Sequence, residues 1–267
     1  MNTLFLDLIF IVSFRLCVFV PCIIWQLYMT KFKNVRYGRM HYVMTYIFIF
    51  YLSMALEVTG IPTIYELIRS GIVIDSGTIN LVPFSTDTYT ISYILNIIMF
   101  MPLGFLLPMI WRRCRFHQVL LIGMLSSLAI EIMQLFNWRV SDIDDLLMNT
   151  LGAVIGFFLF RLVDMIIHGI YSIFAHNKNS IVKSGSHRHA LATAKSKTPN
   201  VSEAIAYIIL SYLGVFFLYN VTVIYALVER FEYQFALCDR YRAGHFVDSL
   251  AGHTGQSQNK SDREVSG

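Results

Sequence analysis

Residues Glu131–Gly156 read EIMQLFNWRVSDIDDLLMNTLGAVIG. An apolar helix ends at Glu131 and Gln134, and a short loop carries Arg139. Three aspartates follow (Asp142, Asp144, Asp145), and a second apolar helix opens with Asn149, Gly152 and Gly156. Charges this dense between two runs of lipid-spanning length are costly to hold, which marks the segment as the candidate functional centre.

The rest of the chain has the composition of a membrane protein. Of 267 residues, 56% are hydrophobic and only 14% charged, against about 25% charged in an ordinary soluble domain. Six apolar segments, at 4–28, 42–59, 91–111, 118–136, 146–170 and 203–228, are each long enough to cross a hydrocarbon core, which takes roughly 20 helical residues. The expected fold class is therefore all-α, a polytopic transmembrane helical bundle of about six spans. The first run lacks a basic leader and is too long for a signal peptide, so it reads as a retained anchor. The four cysteines (Cys17, Cys22, Cys114, Cys238) have no metal-ligand spacing, and two fall inside a span, so neither a metal site nor a disulfide framework is expected.

Charge placement sets an orientation. The joint after the first span holds Lys31, Lys33, Arg36 and Arg39, and the joint after the third holds Arg112, Arg113 and Arg115. The segment after the fifth holds Lys178, Lys183, Arg188, Lys195 and Lys197, and none of the three contains an acid. By the positive-inside rule these face the cytoplasm. The alternate joints are acidic, so both termini and the Glu131–Gly156 loop are expected outside. The resulting division is an N-terminal anchor with its basic joint (1–41), a central membrane domain (42–170), a basic disordered linker (171–202), an additional span (203–228) and a partly disordered tail (229–267). The added span reads as an appendage on a five-helix body. Segment 60–90 carries Pro62, Gly71, Gly77 and Pro83, and two readings stand for it. One is an interfacial or re-entrant stretch with a short amphipathic helix at 64–69; the other is a plain surface loop.

Each polar residue has a structural reading beside a functional one. Ser141 before the aspartates, with Asp144 three residues on, suits a helix N-cap with an acidic partner, and acids in a first turn complement the helix dipole. That accounts for one or two of the aspartates. Asp142, Asp145, Asn149, Gly152 and Gly156 are spaced by three or four and share a face. Its lower part is a close-packing Gly-x-x-x-Gly surface, and Gly104 on the third span is a further packing candidate. Glu131 and Gln134 share a face near the same membrane depth, and Glu131 must pair, be protonated or face water. Arg139 is its expected partner, either in a structural network or as part of a ligand site. Asn96 sits level with them on a helix bent by Pro102 and Pro108, with an interhelical hydrogen bond as its plainer role. Arg15, at mid-span, is a functional candidate or a partner of Glu57 or Glu131, and Arg161 and Asp164 read as a simple pair. His187 and His189 lie in the basic linker, where solvation is the ordinary state.

The pattern Asn80-x-x-Pro83-Phe84, Asn96 with Phe100-x-Pro102-x-Gly104, Glu131-x-x-Gln134 and Arg139-x-x-Asp142-x-x-Asp145-x-x-x-Asn149-x-x-Gly152 resembles the VanZ-like family over about residues 42–160. The resemblance implies an envelope role in the plasma membrane of a Gram-positive-type bacterium, and it brings low-level teicoplanin resistance into view. The linker, sixth span and tail extend past the family's compact domain.

The expectation that results is a non-catalytic membrane protein. Its outer polar cluster (Asn96, Glu131, Gln134, Arg139, Asp142, Asp145, Asn149) would engage a lipid-linked glycan, an anionic envelope polymer or a glycopeptide, with Arg139 as the anion-facing fork. Membrane lipids are its other expected partners; neither a cofactor nor nucleic acid is expected. One rival is an outer-surface enzyme, using Glu131 with Asp142 or Asp145 as acid and base or the carboxylates to hold a divalent cation. Another is a proton-coupled transporter relaying through Glu131 and Arg15. No Walker lysine, HExxH or nucleophile elbow is present, so nucleotide-driven transport has no support.

Overall fold

The computed structural model describes residues 3–71, 79–84, 90–137, 141–179, 199–230 and 233. The helices are α1 (Thr3–Lys31), α2 (Arg39–Thr59), α3 (Ile64–Ser70), α4 (Thr90–Ile110), α5 (Phe116–Gln134), α6 (Ile143–Asn179) and α7 (Val201–Leu218). Two-residue strands β1 (Ile79–Asn80) and β2 (Ser141–Asp142) and a 3-10 turn at Leu135–Asn137 complete the regular elements between them. Six helices are long and apolar enough to cross a membrane. Their outward faces carry large apolar side chains: Ile24 is 61% exposed, Leu125 57% and Phe158 58%. Continuous apolar surface of this kind in a helical protein is explained by lipid rather than water as the surrounding solvent.

Of segment 60–90, Ile64–Ser70 forms the short helix α3, and 72–78 and 85–89 lie outside the described residues. Thr63 and Glu66 form a reciprocal capping box, the hydroxyl accepting the Glu66 N–H and the carboxylate accepting the Thr63 N–H. The expected sixth span at 203–228 is interrupted. Helix α7 stops at Leu218, and a further helix covers 221–230. The Asn220 Oδ1 accepts the Val223 N–H, an N-cap contact that starts the second helix.

The chain divides into two units, Met1–Ser13 with Asn220–Gly267, and Phe14–Tyr219. In the first, the rings of Phe10 and Tyr225 lie 4.7 Å apart. The second is the helical body, built around the α4–α6 pair. A Cβ at Gly104 would collide with the Ala153 carbonyl, one at Gly152 with that of Ile97, and one at Gly156 with that of Met101. The backbones of α4 and α6 thus meet with no side chain between them over more than two turns. Helix α2 joins α4 through Tyr51, whose hydroxyl donates to the Met99 carbonyl at 2.8 Å. Arg15 on α1 pairs with Glu57 on α2 and donates to Ser53 Oγ at 3.1 Å. Of the two partners expected for Arg15, Glu57 is the one the fold supplies. Asp164 lies against His168, 3.4 Å away one turn on, rather than pairing with Arg161 as expected.

Helix α7 belongs to this body rather than hanging from it. Tyr212 donates to the Ser126 carbonyl of α5 at 2.9 Å, and Gly214 sits against the Cys17 carbonyl of α1. At its first turn, Glu203 accepts from Trp111 Nε1 at 3.0 Å and lies 3.3 Å from His41 Nε2. The indole is fully buried, so its N–H has no water to fall back on. Tyr37 packs on the His41 ring at 4.4 Å. Burial, then the Glu203 charge, push its phenol up to about 12. Glu203→Ala is expected to cost roughly 3 kcal/mol, read as a fall in Tm of the solubilised full chain, with Glu203→Gln losing less. An alanine variant with unchanged Tm would mean α7 is not anchored through this carboxylate.

Candidate functional site

The site is assembled where α4 begins, α5 ends and α6 begins, at the end of the bundle opposite the Arg112–Arg115 joint. Its frame is a stitch between two connections distant in sequence. Strands β1 and β2 pair in parallel, Ile79 opposite Ser141 and Asn80 opposite Asp142. The Asn80 Nδ2 donates to both Asp142 oxygens at 3.3 Å, while its Oδ1 accepts the Val82 N–H at 3.2 Å. Phe84 follows Pro83 with φ 55°, a left-handed conformation costing a bulky residue roughly 1 kcal/mol or more. Its N–H is captured by the two oxygens of Asp144, at 3.0 and 3.1 Å. Tyr93, one turn into α4, donates its hydroxyl to the same carboxylate at 2.8 Å. The pattern Asn80-x-x-Pro83-Phe84 is thus a loop docked onto the aspartates that open α6.

The aspartates divide their work. Asp142 accepts the Asp144 N–H at 3.0 Å and is the N-cap of α6. Ser141 was the expected cap, but its hydroxyl donates instead to Glu131 Oε2 at 2.8 Å, where the Asp142 N–H also lands at 3.1 Å. Glu131, only 5% exposed, is therefore held by two donors from the far side of its own loop. Asp144 is completely buried as the acceptor just described. Asp145 turns the other way and accepts from Asn96 Nδ2 on α4.

Below this frame lies a cavity of about 380 Å³ between α2, α4, α5 and α6. It brings together Asn96, Glu131, Gln134, Asp145 and Asn149 from the expected cluster. Asp142 is not in its lining, being occupied by Asn80, and Arg139 lies outside the described residues. Gln134 Nε2 donates to the Thr59 carbonyl at 2.9 Å, which directs the amide toward α2. Asn149 Nδ2 donates to Ser127 Oγ on α5 at 2.9 Å, and its Oδ1, fully buried, meets no donor among the described residues. Two carboxylates and an amide oxygen make the described lining rich in acceptors, so it is matched to a group that brings donors. Among the described residues no three His, Cys, Asp or Glu side chains come together as a metal site. Glu131 and Arg15 do not pair with each other among the described residues: Glu131 accepts from Ser141 and Asp142, and Arg15 donates to Glu57 and Ser53.

Thr59, Ser92, Ser127 and Tyr93 are part of this architecture, although their residue types alone carry no chemical signal. Tyr93 lies three residues before Asn96, on the same α4 face, and that spacing was the available clue.

A long helical bundle with an apolar exterior and a buried polar site at one end defines a multi-pass α-helical membrane protein. Residues 48–164 match the family model described as VanZ/LLP1, so over that stretch the chain is similar to VanZ-like proteins. The match runs from within α2 to within α6, close to the 42–160 expected from the motifs, and leaves out α1 and α7. No curated protein and no solved structure matches the chain.

Proposed function

We propose that this VanZ-like protein is non-catalytic and acts in the plasma membrane of a Gram-positive-type bacterium. Its acceptor-lined cavity would engage an envelope component on the outer side and so give low-level tolerance to teicoplanin. The observation that carries the reading is the convergence of Asn96, Glu131, Gln134, Asp145 and Asn149 on one cavity, at the bundle end opposite the arginine-rich joint. Positive-inside reasoning assigns that end to the outer leaflet. Acceptors in the lining favour hydroxyl- and amine-bearing ligands, a lipid-linked glycan or a glycopeptide, over an anionic polymer. The hydrogen bonds that tie up Glu131, Asp142 and Asp144 favour a binding role over acid–base chemistry, since these carboxylates are committed to holding the loops.

The test is teicoplanin and vancomycin susceptibility of a sensitive Gram-positive host at matched membrane levels of protein. It compares wild type, Asp145→Asn, Arg139→Ala and empty vector. The expected result is a selective rise in teicoplanin tolerance with wild type that both substitutions remove. No rise from well-expressed wild type would overturn the activity while leaving the fold untouched. Tolerance lost only in Glu131→Gln, with ligand binding retained, would point to chemistry, and dependence on a proton gradient would point to transport.

A further inference from the structure

The opposite end of the same helical body holds a second cavity, of about 410 Å³, within the roughly 300–1,000 Å³ usual for small-molecule sites. Met40 and Met44 of α2 and Met109 and Ile110 of α4 form its apolar wall, and Arg112 and Arg113 stand in the turn that ends α4. Both arginines are exposed, and among the described residues neither has a salt-bridge or hydrogen-bond partner. His41 and Pro199 complete the lining. The acid close to this layer, Glu203, is already engaged by Trp111 Nε1 and His41 Nε2, so it does not neutralise the arginine pair.

We propose that this cavity seats one anionic phospholipid, its phosphate on the Arg112 and Arg113 guanidinium groups and the upper part of an acyl chain against the methionines. Guanidinium forks match phosphate oxygens in pairs, and thioether side chains adapt to a flexible chain better than branched ones. A soluble anion would use the arginines but leave the methionine wall exposed, whereas a neutral lipid would cover the wall but leave the arginines without a counter-charge. Both halves of the cavity are used only by an amphiphile with an anionic head. Basic pockets between helix ends at a membrane surface select such headgroups. The site stands apart from the acceptor-lined cavity and does not rest on the function proposed for it.

The test uses the full chain purified in detergent and in phosphatidylcholine nanodiscs, with and without phosphatidylglycerol. Retained lipid is read by native mass spectrometry, and Tm is followed during titration with phosphatidylglycerol, phosphatidylcholine or inorganic phosphate. Wild type is expected to retain one phosphatidylglycerol and to rise saturably in Tm with that lipid alone. Arg112→Ala with Arg113→Ala should weaken it about tenfold or more. Met44→Trp, which fills the cavity and keeps both charges, should also weaken it, so the result does not rest on one variant. Equal responses to the two lipids, an equal response to inorganic phosphate, or undiminished binding by the double alanine variant would each overturn the proposal.

Discussion

Replacing Gly152 with valine is expected to prevent α4 and α6 from closing, with a loss of stability above about 3 kcal/mol. Even the first added atom would collide with the Ile97 carbonyl of α4, and it is backbone rather than a movable side chain that stands in the way. Relief requires the two helix axes to separate, which also breaks the contacts of Gly104 with Ala153 and of Gly156 with Met101. The separation forfeits dispersion contact along the whole interface, the main force holding helices together in lipid. Gly169 in the same helix has open space around it, so Gly169→Val is the matched control. Fluorescence-detected size exclusion and a thermal melt of both variants in detergent decide the matter. A Gly152→Val protein that elutes and melts like wild type would show that the two helices are not locked at this point.

Asp144→Ala is expected to cost roughly 3 kcal/mol. The carboxylate is fully buried and serves the Phe84 N–H and the Tyr93 hydroxyl together. Alanine strands both donors and releases Phe84 from the left-handed conformation that the carboxylate holds in place. Two readings are expected to move together: Tm falls, and hydrogen exchange at the Phe84 amide accelerates. Asp144→Asn should fall between the two, because an amide oxygen can still accept one of the bonds. If exchange at Phe84 is unchanged in the alanine variant, the loop is not held by this residue.

The helical architecture was legible because it rests on one-dimensional signals. Long apolar runs delimit α1, α2, α4, α5 and α6 to within a few residues at most ends, whereas α3 is only one of two readings that the sequence leaves open for segment 60–90. The α6 extension to Asn179 and the stop at Leu218 were not legible, since an apolar count passes smoothly through Tyr219-Asn220 and sees no cap. The pairing of β1 with β2 joins segments some sixty residues apart, and two-residue strands have no periodicity to detect. The acidic loop stands out in the sequence as a cluster of charge between apolar runs, and spacing puts Asp145 and Asn149 on one face. Spacing cannot say what a face meets: Asp142 finds Asn80, Asp144 finds Phe84 and Tyr93, and Asp145 finds Asn96. Glu203 was invisible for a similar reason. In a first turn it reads as an ordinary complement to the helix dipole, until Trp111 arrives from another helix.

The hydrogen bond from Trp111 to Glu203 crosses the boundary of the family match, from inside residues 48–164 to a helix outside them, and the Glu57–Arg15 pair crosses it in the other direction. A fragment trimmed to the matched residues would carry an indole N–H and a carboxylate deprived of their partners, both on faces that α7 and α1 normally cover. Grafting the matched segment into another membrane protein would therefore leave an uncompensated polar group at each end of the bundle, Glu57 beside the acidic cavity and Trp111 opposite it, so a transplant that keeps both partners runs from α1 through α7.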